Sequence, residues 1–246
     1  MDSIVRHDGG MEHHTVPTTV LWDIDGTLVM NASSPGNLYH LALERAVGRD
    51  LVLRVGHQHG RTDAGLIAEH VRAHELDTDL IPVVSGHLRD LTEERHRSGD
   101  HRSPAPGAIA LVARFAELGW RNGLLTGNSA YRARVKLQGA GFDVDAFDWE
   151  HSYFGDTEVE RTGVTARAAA ALAGTRAVIV GDTPRDGEAA DAVGIPFLAV
   201  ATGVYDVESL RATGAVTIAR NCVDDAALIE DAIAALPPLR PVDERS

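Results

Sequence analysis

The chain has 246 residues, 44% of them hydrophobic, which suits one large domain or a core domain with a smaller companion and is neither disordered nor fibrous in composition. A formal net charge of −13 argues against a general nucleic-acid binder and favours the holding of cations. The single cysteine, Cys222, excludes an intrachain disulfide and fits a reducing cytoplasm, and with no apolar run of about 18 residues no membrane-spanning helix is expected.

In chain order, residues 1–17 are polar, lack a signal-peptide core and read as a solvated tail, with its adjacent His13 and His14. Short apolar runs of the parallel-strand type follow at 20–22, 122–125, 177–180, 196–200 and 216–219. Helical patterns fall between most of them, at 108–118, 130–138 and 165–172. Strands alternating with helices imply an α/β fold: a Rossmann-like parallel sheet with helices on both faces. About a hundred residues separate the first two strands, too many for one crossover. That stretch has helical patterns of its own at 38–47, 64–73 and 80–95, so 30–103 reads as a small helical domain inserted into a core of 18–29 and 104–237, with 238–246 as a frayed tail.

Three strands end in polar residues. "VLWDIDGT" ends in Asp23 and Asp25, "GLLTGN" in Thr126, Gly127 and Asn128, and "AVIVGDTPRD" in Asp182, with Asp186 four residues on. In an open parallel sheet, ligands bind in the crevice beyond the carboxyl ends of the strands, so the three ends should converge. Four carboxylates in one crevice cannot all stay ionised unaided; some take up protons or a cation neutralises them. A hard, all-oxygen site suits Mg²⁺. Taken singly, the Asp-Gly pair reads as a turn, Thr126 as a cap, and Asp182 and Asp186 as decoration of a helix start. Taken together and in this order, they point to chemistry.

"DIDGT", "LLTGN" and "GDTPRD" resemble the signature motifs of the haloacid dehalogenase superfamily, in the form used by its phosphatases, and the insert directly after the first motif resembles that superfamily's C1-type cap. The overall arrangement is similar to the phosphoglycolate-phosphatase-like branch. The resemblance implies an enzyme that hydrolyses a small phosphorylated metabolite with Mg²⁺, with no nucleic-acid or membrane partner. Asp23 would be the nucleophile and form an aspartyl phosphate. Asp25 would protonate the leaving oxygen and then activate water. Thr27 would orient Asp25, and Gly26 would let the chain turn so that both acids reach the site. The Thr126 hydroxyl and the backbone N–H groups near Gly127 and Asn128 would hold the phosphoryl oxygens. Asp182, Asp23 and the main-chain carbonyl of Asp25 would bind the metal, and Asp186 would hold its water shell.

The superfamily also places a cation, usually lysine, beside the nucleophile. Two candidates stand here: Arg161, near the usual position, and Lys136, the only lysine in the chain, ten residues after Thr126. Spacing favours Arg161, which would grip phosphate in a fork. The plain readings are a surface ion pair of Arg161 with Glu158 or Glu160, and a solvated helix face for Lys136. In the insert, Arg61 is a candidate for a second anionic group of the substrate, against a surface pair with Asp63. Thr62 or Asp63 would cap the helix that follows. His57 and His59 read as loop histidines, and the charge run at 93–102 as a solvated helix end and linker. Two other functions use related parts: a sugar phosphomutase, and a catalytically silent ligand-binding relative. The intact set of Asp23, Asp25, Thr126 and Asp182 favours hydrolysis over silence.

Overall fold

The computed structural model describes residues 17–31, 37–56 and 59–240. Six parallel strands form one sheet: β1 (Thr18–Trp22), β2 (Arg121–Thr126), β3 (Tyr153–Phe154), β4 (Arg176–Gly181), β5 (Phe197–Val200) and β6 (Thr217–Ala219), in the order β3-β2-β1-β4-β5-β6. β1 is central, with Val20 opposite Asn122 on one side and Val178 on the other.

The apolar runs exist because both faces of the sheet are covered. Alternate residues serve opposite layers. Val20, Trp22, Val178 and Val180 pack with α4 (Ala108–Glu117), α5 (Ala130–Gly139) and α9 (Ala226–Ala234). Leu21, Ala177 and Ile179 pack with α6 (Arg161–Ala171), α7 (Pro184–Asp191) and the short α8 (Val207–Leu210). The scarce aromatics gather in the first layer, where Phe115 stacks on Trp22 with ring centroids 5.8 Å apart.

The segment between β1 and α4 holds α1 (Leu38–Val47), α2 (Asp63–Ala73), a 3-10 turn (Thr78–Leu80) and α3 (Ile81–Arg97). Asn37 caps α1 through its side chain, and Gly48 closes it in the left-handed conformation. Thr62, not Asp63, is the N-cap of α2. The three helices share a separate apolar cluster that includes Tyr39, Leu43, Leu66, Val84 and Leu88. The segment leaves and returns at one place: Met30 donates to Ser103 O (3.0 Å) and Ala105 to Leu28 O (2.8 Å).

Three expectations change. Residues 153–154 form an edge strand too short to carry a periodic signal. α6 begins at Arg161, four residues before the predicted start, with Glu160 as an N-cap in extended backbone and no side-chain cap. Residues 238–240 are not frayed: Leu239 is buried and exchanges backbone hydrogen bonds with Gly174 and Thr175. The predicted tails at 1–16 and 241–246, and His57, lie outside the described residues. Among the described residues, no helix is long and apolar enough to cross a membrane.

Candidate active site

β1 runs out at Trp22, and the next residues turn sharply. Gly26 donates to Val29 O (2.7 Å) and Leu28 to Ile24 O (3.0 Å). Gly26 has φ +93°, and a Cβ there would overlap the Asp182 carboxylate. Glycine is therefore required by both conformation and space.

The turn sends the two acids to opposite surroundings. Asp23 joins Asp182 and Asp186; all three are buried and offer ligand oxygens within 4.8 Å of one another. Arg161, 7% exposed, lies across them, its Nη2 2.9 Å from Asp23 Oδ1 and 2.6 Å from Asp186 Oδ1. The same nitrogen donates to Leu125 O at 3.0 Å. Asp25 instead meets cations. Lys136 Nζ lies 2.7 and 2.5 Å from its two oxygens, Arg102 Nη1 donates to Oδ1, and Asn128 Nδ2 donates to Oδ2 at 2.7 Å. The expected four-acid crevice is thus three acids on one side of the turn and one on the other.

Electrostatics follow this division. Burial pushes Asp23 up to about 7, Arg161 opposes it, and the Asp186 and Asp25 carboxylates add to the rise. Asp182 is pushed up to about 9, by burial first and then by Asp23 and Asp186. Burial also works against ionised Asp25, but Lys136 and Arg102 outweigh it and hold the carboxyl well below the usual range. Lys136 itself is lowered to about 8, by burial and by the neighbouring Arg132 and Arg102, with Asp25 opposing. Burial disfavours charged Arg161, yet Asp186 and Asp23 more than restore it.

The remaining predicted residues divide. Thr126 is fully buried, and its Oγ1 accepts from Asn128 Nδ2 (2.9 Å) and Asn128 N (3.3 Å), which leaves its own hydroxyl hydrogen to donate. The Asn128 N–H is therefore engaged with Thr126. The Gly127 carbonyl accepts from Asp63 N at 2.7 Å. Thr27 does not orient Asp25; its hydroxyl donates to Asp182 Oδ1 at 3.2 Å. Asp186 uses Oδ2 in a capping box with Thr183 at the start of α7. Arg61 pairs with Glu69 rather than Asp63, and it lines the cavity with His59. Lys136 is no solvated face residue, and the charge run supplies Arg95 and Arg102 to the cavity.

Sequence reasoning missed Arg102, Arg132 and Asp63. Arg132 and Lys136 stand one turn apart on the helix after the second motif, a spacing that puts two cations on one face. Arg102 lies in a linker and carried no such signal. The cavity between the insert and the strand ends has a volume of about 330 Å³ and is lined by Asp23, Asp25, Thr126, Asn128, Lys136 and Arg161 among others.

The chain belongs to the haloacid dehalogenase-like hydrolase family, whose model matches residues 17–194. Among individual proteins, the chain is similar to a phosphoglycolate phosphatase from Rhodospirillum rubrum, with 28% identity over 217 residues, covering 82% of this chain and 87% of that one. Its fold is similar to that of a hydrolase from Pseudomonas syringae (17% identity, TM-score 0.64, covering 88% and 99% of the two chains). It is also similar to that of CbbY from Rhodobacter sphaeroides, solved in complex with phosphate (18% identity, TM-score 0.62, covering 86% and 96%).

Proposed function

We propose that the protein is a Mg²⁺-dependent phosphatase that hydrolyses a small phosphomonoester through an aspartyl phosphate on Asp23. The observation that carries this reading is the buried trio of Asp23, Asp182 and Asp186 with Arg161 across it. A cation fits the trio. Asp182 Oδ2 is buried with no hydrogen-bond partner, and glycines at 26 and 203 leave it the room that a Cβ at either would take. Burial and mutual repulsion hold Asp23 and Asp182 toward their protonated forms, and a hard divalent ion would let them ionise together. Asp23, Asp182 and the Asp25 main-chain carbonyl would hold it, with Asp186 behind. Bound there, it would supply positive charge opposite the phosphoryl oxygens.

The chain's own groups divide the chemistry as follows. Arg161 fixes Asp23 and presents positive charge to the phosphoryl group, while Thr126 donates its hydroxyl to one of the oxygens. An Asp23 oxygen attacks phosphorus, the bond to the leaving oxygen breaks, and that oxygen takes a proton from Asp25. Water then attacks the phosphorus of the aspartyl phosphate; its proton goes to Asp25, the Asp23–phosphorus bond breaks, and phosphate leaves. With Lys136 and Arg102 on it, resting Asp25 is ionised, the form that the second half-reaction needs; the proton it takes from water there is the one it gives to the leaving oxygen of the next turnover, and a first turnover requires it to take up a proton as substrate binds.

Cations that line the cavity with Asp25 support a substrate with a second negative group. Arg95, Arg102 and Lys136 all line the cavity. Phosphoglycolate, named for the Rhodospirillum rubrum relative, carries a carboxylate beside its phosphate and is the first compound to assay. Phosphate release from phosphoglycolate and a panel of small phosphomonoesters, with Mg²⁺ and with chelator, tests the reading. Release that needs Mg²⁺ and vanishes in Asp23→Asn is expected; metal-independent release, or an active Asp23→Asn, overturns the mechanism.

A further inference from the structure

α5 grips in two directions. Lys136, one turn from Arg132 on the same helix, holds Asp25 and also donates to Asn128 Oδ1 at 2.6 Å. Arg132 reaches into the insert and touches α1, α2 and α3. Its Nη1 pairs with Asp63 of α2 and donates to the Tyr39 hydroxyl of α1 at 2.8 Å, and its Nε donates to Thr92 Oγ1 of α3 at 3.2 Å. Tyr39 donates to Asp63 Oδ1 at 2.7 Å, so the three groups close a ring. Arg132 is 4% exposed and Asp63 3%.

Asp63 has a second tie to the same helix. Its Oδ2 accepts from Ser129 N at 2.8 Å, and Ser129 is the N-cap of α5. A carboxylate there is also favoured by the helix dipole. Its own N–H donates to Gly127 O, one residue before Asn128. The backbones approach so closely that a Cβ on Gly127 would overlap the Arg61 carbonyl. A buried ion pair is seldom the most stabilising filling for such a space, since an apolar pair of the same volume packs as well.

We propose that Arg132 is a positioning residue: it couples the seating of the helical insert over the cavity to the placement of Lys136 on α5, and through Lys136 to the placement of Asp25. When the insert is seated, Asp63 fixes the start of α5, Arg132 is held by three helices, and Lys136 arrives at Asp25. When the insert lifts, the N-terminal turn of α5 loses Asp63, and Lys136 and Asn128 lose their fixed reach. The assignment of catalysis to Asp25 rests on the phosphatase reading; the coupling of insert to α5 does not.

Two measurements separate these. In the first, Arg132→Met and Arg132→Lys are assayed with Mg²⁺ on an aryl and an alkyl phosphomonoester. Misplacing the acid should lower kcat on the alkyl ester, which needs leaving-group protonation, by about ten- to a hundredfold more than on the aryl ester. KM should move less, and Arg132→Lys should recover part of the loss. Equal losses on both esters would mean a merely structural role and overturn the catalytic half of the proposal. In the second, hydrogen exchange is followed on the full chain of wild type and Arg132→Met. The amides of Asp63 and Ser129 should exchange about tenfold faster in the variant; unchanged protection there overturns the coupling. If Arg132→Met does not fold, Tyr39→Phe removes one hydroxyl from the ring of contacts and is read by the same two measurements. An inactive wild type would remove the phosphatase reading and, with it, the catalytic half, while the exchange measurement still decides the coupling.

Discussion

One nitrogen of Arg161 bridges two carboxylates, 2.9 Å from Asp23 and 2.6 Å from Asp186. It joins the end of β1 to the start of α7 and sets the charge that the proposed nucleophile meets. Arg161→Ala should therefore lower turnover by about a hundred- to a thousandfold, the scale for removing one charge-stabilising donor. Arg161→Lys should restore part of it, because charge returns without the fork. Steady-state kinetics of the two variants beside Lys136→Ala decide the comparison: the smaller loss should belong to Lys136→Ala.

Asp25 transfers a proton in the proposed mechanism, so Asp25→Asn should slow hydrolysis of an alkyl phosphate by about 10²–10⁴-fold. An aryl phosphate should lose less in the first half-reaction. Rapid-quench detection of phosphorylated enzyme checks this, since the missing base should let that species accumulate.

The three buried acids predict a metal effect that can be read without turnover. Mg²⁺ should raise the melting temperature of the wild type, as any ligand of the folded state does. Asp182→Asn should melt higher than the wild type in chelator near neutral pH, because the wild type must protonate Asp182 to fold and the amide need not, and it should gain nothing from Mg²⁺. Thermal unfolding of both proteins in chelator and in Mg²⁺ gives the answer; a Mg²⁺ shift retained in Asp182→Asn would place the ion elsewhere.

His70 gives the helical insert a pH dependence of known sign. Burial, then the neighbouring His40 and His74, lower it to about 4 from 6.5. The unfolded chain thus binds a proton that the folded chain refuses between those values. Its share of stability is complete above pH 6.5 and is lost as pH falls toward 4, by at most about 1.4 kcal/mol for each pH unit crossed. His70→Gln should flatten the fall in stability between about pH 7 and pH 5, measured by denaturant unfolding at several pH values.

The sheet was legible because its strands are buried on both sides. Runs such as Val178, Ile179 and Val180 need no partner to be recognised as core strands, and Asp23, Thr126 and Asp182 announce the strand ends by breaking them. The insert helices were legible from their own apolar faces. The long-range pairings were not. Lys136 reaches Asp25 across more than a hundred residues, and Arg102 does so from a linker without periodicity. Thr27 shows the limit of reading by neighbourhood: it is two residues from Asp25 in sequence, yet the turn at Gly26 sends its hydroxyl to Asp182. Arg132 and Asp63 each look like a surface charge until the fold buries them together.

The side-by-side exit and return of the insert, with Met30 bonded to Ser103 and Ala105 to Leu28, has a consequence for how such a chain diversifies. A segment whose two ends meet can be exchanged as a cassette while the sheet keeps its register. Such an exchange leaves untouched the strand ends where Asp23 and Asp182 stand. The exchange carries one condition here: the incoming cassette must bring an acid to the start of α5, where Asp63 now sits, or leave the Arg132 guanidinium buried without a partner.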